Sequence, residues 1–285
     1  MSTFKEIKEN IKWFCRVFSE MFKYNGVDTN LHLTEYDTNN RIMTFNIRRD
    51  VLGDGANNWQ YRKESIIKMI EKYSPDIICM QEVMPHQAKY LAHKLGSEYY
   101  NAGLECGLGT NLVTSKLVFG EGLLIFYRKT KFSFVEKTKI KLYDGRPLNF
   151  RRAFIVTLFD NRNNREITVI NTHLCHMSAE ARKKSFTKIL SVWNEMQNAD
   201  DVCICGDFNC QLNETASGID TFSQNFFYNK PTDKGTINHY SDNGNGKTID
   251  FIFTNKPHIH SEVIRDKFDN KFLSDHWPVL SIIEC

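Results

Sequence analysis

Eight polar residues spread along the chain are of the types that a single site for phosphoester chemistry would need: Asn46, Glu82, His173, Asp207, Asn209, Asp250, Asp275 and His276. Glu82 and Asp275 offer carboxylate oxygens, and Asn46 adds a neutral amide oxygen. Hard oxygen donors with few nitrogens and no sulfur suit Mg²⁺ or Mn²⁺ rather than Zn²⁺. A sparsely ligated Mg²⁺ keeps positions for water and for a substrate phosphate, and it stabilises charge on phosphoryl oxygens. Two histidines paired with carboxylates would complete an acid–base system, because the carboxylate fixes the imidazole tautomer and favours the imidazolium. Asp207 is a candidate to activate the attacking water, with Asn209 two residues on and on the same side. Taken singly, an aspartate after a strand is a turn or cap residue, and a lone histidine is a satisfied core or surface group. The set carries weight because separate strand ends deliver it.

Those strand ends follow from the apolar pattern. RIMTFNI (41–47), DIICMQ (76–81), EGLLIFYR (121–128), RRAFIVTLF (151–159), EITVINTHL (166–174), DVCICG (201–206), TIDFIFT (248–254) and HWPVLSII (276–283) read as strands. KFSFVEKTKIKLY (131–143) is a further one. Asn46, Glu82, His173, Asp207, Asp250 and the pair Asp275–His276 lie at or beside the ends of these runs. A buried scaffold can hold side chains rigidly there while loops admit substrate. Residues 57–73, 85–95 and 178–196 read as helices, the second opened by Pro85 and the third by Ser178 as N-cap. Residues 102–122 form a glycine-rich segment. The order of strands and helices favours an α/β arrangement with sheets packed face to face and helices outside.

Residues 1–24 stand apart. Phe4, Ile7, Ile11, Phe14, Phe18, Met21 and Phe22 recur at helical spacing, with Lys5, Lys8, Lys12 and Arg16 on the other side. Packing on its own domain or on a second copy is the plainer reading; weak association with an anionic membrane surface is the sharper one. Residues 27–40 read as a linker, which makes residues 1–40 an appendage and 41–285 the main domain.

Bulk numbers set the bounds. The 285 residues are 41% hydrophobic and 25% charged, enough for a sizeable core. A net charge of +3 suits a phosphate-bearing substrate but does not mark nucleic acid, which calls for a concentrated basic face. The eight cysteines read as buried free thiols, and Cys203, Cys205 and Cys210 lack zinc-site spacing. No secretory signal or bilayer-length apolar run is evident, so a reduced cytoplasmic setting is the expectation.

The segments TFNIR (44–48), QEV (81–83), NTHL (171–174), GDFN (206–209), TIDFIF (248–253) and SDHWPV (274–279) together resemble the endonuclease/exonuclease/phosphatase superfamily over residues 41–285. The likeness is of the pancreatic-type deoxyribonuclease kind, with NNWQYRKE (57–64) resembling a little-characterised bacterial branch. It implies a four-layered α/β sandwich, two mixed β-sheets face to face with helices on both outer sides. It also implies that Asn46 and Glu82 hold the metal with Asp275 contributing, that Asp207 activates water, and that Asn209 positions water and phosphate. Asp250 would orient His276 at the scissile phosphate, and His173 would act near the leaving group. Glu121 would pair with His173; Arg152, or Arg151 by a one-residue shift, would contact phosphate; Trp59 and Arg62 would line the pocket. The histidine of NTHL departs from the abasic-site endonuclease pattern, and the cysteines depart from the secreted deoxyribonuclease disulfides.

A Mg²⁺-dependent phosphodiesterase, a nuclease among the options, is the leading expectation, with Arg48, Arg151, Arg152 and Arg182 as phosphate contacts. A phosphomonoesterase or lipid-headgroup hydrolase of the inositol phosphate or sphingomyelin type is the alternative. A catalytically dead binding module would lack metal or histidine residues, and here all are present.

Overall fold

The structure, a computed structural model, describes residues 2–34, 39–106, 120–143, 151–196, 200–230, 232–244 and 246–284. The stretch 107–119 of the glycine-rich segment lies outside the described residues, as does Phe150 of the FRRAF segment.

Among the described residues, twelve strands form two six-stranded sheets. The first contains β1 (Asn40–Asn46), β2 (Ile77–Val83), β3 (Tyr99–Cys106), β4 (Gly122–Arg128), β11 (His258–Val263) and β12 (Val279–Ile283), in the order β11-β12-β1-β2-β4-β3. The second contains β5 (Phe132–Lys141), β6 (Arg152–Asp160), β7 (Arg165–His173), β8 (Asp201–Asp207), β9 (Phe227–Tyr228) and β10 (Asp250–Thr254), in the order β5-β6-β7-β8-β10-β9. Both sheets are mixed: β1–β2 and β7–β8 are parallel, whereas β1–β12 and β8–β10 are antiparallel.

Three apolar layers separate four layers of structure. Ile42, Cys79, Ile125, Phe154, Val169, Cys205 and Ile252 fill the space between the sheets. Outside the first sheet, Met43, Phe45 and Met80 meet α2 (Trp59–Tyr73) and α3 (Pro85–Leu95) through Ile66, Met69, Tyr90 and Leu91. Outside the second, Ile170, Ile204 and Phe253 meet α4 (Ala179–Glu195) and α5 (Ile219–Asn225) through Phe186, Ile189 and Phe222. The expected four-layered sandwich is therefore present. Asn58 caps α2 and Ser178 caps α4 by accepting from backbone N–H groups, and Pro85 opens α3.

Two differences from the sequence reading have physical reasons. Residues 27–34 are no loose linker: Leu31 is buried in the first outer layer, the Asp28 N–H donates to His93 O, and Arg128 donates to Thr34 O. The strands β3 and β11 escaped the pattern because YYNAGLEC and HIHSEV are polar edge strands without apolar alternation. The cysteines do not converge as a trio, since Cys203 and Cys205 face the inter-sheet layer and Cys210 faces the α4 side.

The helix α1 (Ser2–Lys23) packs against α3 and the single-turn helix at 52–57. Arg16 donates to both Asp50 oxygens, Lys63 pairs with Glu20 at 2.8 Å, and Val17 is buried. No helix among the described residues is long and apolar enough to cross a membrane.

Candidate active site

Strand alternation aims the functional side chains. On β1, Ile42 faces the inter-sheet layer while Met43 and Phe45 face outward, so period two also turns Thr44 and Asn46 inward. The same count turns Asp207 inward after Cys203 and Cys205, Asp250 inward beside Ile252, and Asn171 and His173 inward after Ile167 and Val169. Register aligns them: His173 lies opposite Asp207 in the parallel β7–β8 pair, and Asp250 opposite Asp207 in the antiparallel β8–β10 pair. At this end the sheets meet directly, with Asn46 Nδ2 donating to Asp207 Oδ2 at 3.0 Å and to Glu82 Oε1 at 3.2 Å.

Close approach of β7 and β8 needs Gly206, where a Cβ would sit 2.1 Å from Thr172 O. Three non-glycine residues at the site adopt left-handed backbone: Arg48 (φ 57°), Glu82 (φ 57°) and Asn209 (φ 53°). Such conformations are held only where surrounding contacts over-determine them, and they gather at functional sites. Glu82 follows a register shift between β2 and β4, a bulge that re-aims it. Asn171 fills that bulge from the opposite sheet, donating to Met80 O and Leu124 O, while Gln81 donates to Asn171 Oδ1 at 2.8 Å. The Asn209 N–H donates to Asp207 Oδ1, and Asn209 Nδ2 donates to Leu174 O.

Two imidazoles meet one carboxylate. His173 Nε2 lies 3.5 Å and His276 Nε2 3.9 Å from Asp207 Oδ2. Their states differ. Burial would deprotonate His276, but Asp250, 2.9 Å from its Nδ1, together with Asp207 and Asp275, drives its pKa well above the ordinary value. Burial and the Arg151 cation pull His173 down to about 4, against the opposing charges of Asp207 and Glu82. At neutral pH His276 is a cation and His173 a neutral ring. Burial and the Asp250 charge raise Asp207, with the two histidines opposing. Burial would also raise Glu82, yet His173, the Asn46 amide, His276 and the Arg49 N–H hold it well below the usual carboxylate range.

Two groups of side chains bear on a metal. Asp207, Asp250 and His276 bring ligand atoms within 4.8 Å of one another. Within that group His276 Nδ1 is turned to Asp250, 2.9 Å from its Oδ2, so one ring nitrogen is already engaged. Glu82 and Asn46 form the second group, a carboxylate held well below its usual range beside an amide, both hard oxygen donors. Asp275 belongs to the same end: Ser274 Oγ donates to Asn46 O at 2.7 Å and lies 3.1 Å from Asp275 Oδ1, and Arg48 Nη1 lies 3.3 Å from Asp275 Oδ2.

Several expected contacts fall elsewhere. Glu121 does not meet His173; its carboxylate takes Arg49 Nη1 at 3.2 Å, and burial beside the like charge of Glu82 raises its pKa. Trp59 and Arg62 do not line a pocket. Trp59 is fully buried, and Arg62 donates to the carbonyls of Asn57, Ile47, Leu273 and Arg48, clamping the loop of Arg48 to the loop of Asp275. Arg182 is likewise structural, held by Cys175 O and Glu214. Arg48 sits at the site but is braced by Asp54 and Asp275. Of the neighbouring pair, Arg151 is the cation that bears on His173 and Glu121, while Arg152 opens β6 with its carbonyl accepting from Thr172. Reasoning on the sequence missed Arg49 and Tyr240, which come from loops without pattern, Asp54, which sits in the short helix at 52–57, and Gln81 and Asn171, whose signal was a polar residue at an inward strand position.

The comparisons agree with this geometry. The sequence profile of the Endonuclease/Exonuclease/phosphatase family matches residues 43–276. Nocturnin of Rattus norvegicus is 24% identical over 227 residues, covering 74% of this chain and 52% of that protein. The chain thus spans about half the length of the curated relatives it matches. The structure of an endonuclease/exonuclease/phosphatase from Bacteroides vulgatus superposes with a TM-score of 0.72 at 27% identity, covering 87% of this chain and 99% of that one. The mannosyl-6-phosphatase of Bacteroides thetaiotaomicron gives a TM-score of 0.73 at 22% identity, covering 86% and 100%. With the family matched from β1 to His276 on a fold of the same build, the chain belongs to the Endonuclease/Exonuclease/phosphatase family.

Proposed function

We propose that the chain is a Mg²⁺- or Mn²⁺-dependent phosphodiesterase in which water attacks phosphorus at the junction of the two sheets. The observation that carries this reading is the convergence of a cationic His276 and a neutral His173 on Asp207, with the ionised Glu82 linked to Asp207 through Asn46. Glu82, Asn46 and Asp275 would hold the cation, which supplies charge stabilisation to phosphoryl oxygens when bound. Asp207 accepts the proton of the attacking water, its raised pKa making it a better base than an exposed aspartate. His276, kept protonated by Asp250, donates a charge-assisted hydrogen bond to a non-bridging oxygen. His173 orients the water or the leaving oxygen, and Asn209 holds Asp207 in place through its N–H.

A second reading, a phosphomonoesterase or lipid-headgroup hydrolase, draws on the arginines at the rim. Arg48 is spent on Asp54 and Asp275 and Arg49 on Glu121, so among the described residues these two arginines add little to a cationic track for a polynucleotide. The name of the Bacteroides thetaiotaomicron neighbour, a mannosyl-6-phosphatase, lies on the same side, while other relatives are named as Ccr4 exoribonuclease subunits.

The test is hydrolysis of plasmid DNA, an RNA oligonucleotide, a hexose 6-phosphate and a phosphoinositide headgroup with Mg²⁺, with Mn²⁺ and with EDTA. Asp207→Asn and His173→Ala should each lower the rate by ~10²–10⁴. Full activity in either variant would sink the role given to that residue, and activity indifferent to EDTA would sink the cation. Cleavage of the monoesters alone would decide for the second reading.

A further inference from the structure

The helix α1 presents two unlike sides. Its docked side carries Trp13, Arg16, Val17 and Glu20, which meet Asp50, Asn58 and Lys63. Its outward side carries Ile7 (53% exposed), Ile11 (58%), Phe14 (47%), Phe18 (50%) and Phe22 (61%). The spacings of four, three, four and four residues make one continuous stripe, and the rings of Phe14, Phe18 and Phe22 follow one another at 6.4 and 5.1 Å. Folding normally hides such a row. Here the docked side already anchors the helix, so the stripe is left to the outside.

Charge tells what covers it. At ~100° per residue, Lys8, Lys12 and Lys23 all fall on the flank between the stripe and the docked side, whereas Glu6, Glu9 and Glu20 fall on the docked side. Lys12 reaches Glu9 at 3.1 Å, and Lys8 and Lys23 extend from the exposed surface. An apolar aromatic strip with lysines along one flank suits the boundary between acyl chains and anionic headgroups.

We propose that α1 seats this protein on an anionic lipid surface, with Ile7, Ile11, Phe14, Phe18 and Phe22 entering the headgroup–acyl boundary and Lys8, Lys12 and Lys23 meeting the headgroups. The helix then lies between the bilayer and the catalytic body, fixed to the latter through Arg16–Asp50 and Lys63–Glu20.

The test is flotation of the full chain with phosphatidylcholine vesicles and with vesicles holding about 30% phosphatidylserine. Wild type should float with the anionic vesicles and less with the neutral ones. Phe18→Ser/Phe22→Ser should weaken binding at least ~10-fold, with unchanged melting temperature and unchanged hydrolysis of bis(p-nitrophenyl) phosphate. Lys8→Gln/Lys23→Gln should lose the preference for anionic lipid. Wild type that does not float, or a serine variant that floats equally, overturns the proposal. A dimer seen by sedimentation and dissolved by the serine pair, without flotation, overturns it in favour of self-association.

Discussion

Gly206 illustrates how little space the site allows. A methyl group there would press on Thr172 O, the carbonyl one residue before His173. Gly206→Ala should therefore push β7 and β8 apart where His173 faces Asp207, costing on the order of 1–3 kcal/mol of stability and most of the activity. Thermal melts and rates measured together check it; a variant with full stability and full rate would show that the strands can yield. Arg62 works differently. Its guanidinium is fully buried and serves four carbonyls on three segments, so Arg62→Met leaves buried acceptors unsatisfied. The expected loss is on the order of 3 kcal/mol, read as a lowered denaturant midpoint. Arg62→Lys should recover only part of it, because one ammonium cannot reproduce the planar fork. A Met variant as stable as wild type would remove the clamp from the account.

Among the elements, α1 and the segment 48–50 are joined by one carboxylate. Asp50 accepts from Arg16, Asn58 and Trp13 and lies 2.9 Å from His86 Nε2. Burial would raise its pKa, but the hydrogen bond from His86 and the Arg16 charge bring it below the ordinary 3.8. A carboxylate lowered on folding contributes stability that is complete above its unfolded value and is lost as pH falls through its folded value. Docking of α1 should hold from neutral pH down to about 4 and give way below that. Hydrogen exchange of the α1 amides, corrected for intrinsic rate, should show it. Protection that already fades between pH 7 and 5 would assign the docking to some other group.

The same elements show how far the sequence could be read. The helices α2, α3 and α4 were legible because caps and periodicity agree with their packing, and the inward aim of Asn46, Asp207 and Asp250 follows from alternation on apolar strands. Glu121 was not legible, since its partner Arg49 comes from a loop whose course is set by Glu82 and by the left-handed turn at Arg48. Nor were the burial of Arg62 and Trp59, because a buried arginine satisfied by distant carbonyls leaves no local pattern.

At the scale of the whole molecule, the site fastens the sheets together: Asn46 and Glu82 belong to one, His173, Asp207 and Asp250 to the other. A cation bound by Glu82 and Asn46 should stabilise the entire sandwich. At ~100-fold over its dissociation constant this amounts to about 2.7 kcal/mol, or roughly 5–10 °C in melting temperature for a domain of this size. Calorimetry with Mg²⁺ or Mn²⁺ against EDTA measures it. No shift in wild type, or an equal shift in Glu82→Gln, would rule out that pair as the seat of the ion.

The pairing of β1 with β12, Asn40 opposite Ile283 and Thr44 opposite Val279, has a consequence for synthesis. The strand β1 lacks its second neighbour until β12 has left the ribosome, and Asp275 and His276 emerge only just before that strand. Contacts this distant in sequence form late and slowly. A chain made only as far as β10 therefore has β1 unpaired on one side and is without Asp275 and His276, so this end of the two sheets can close only after residues 275–283 have been added.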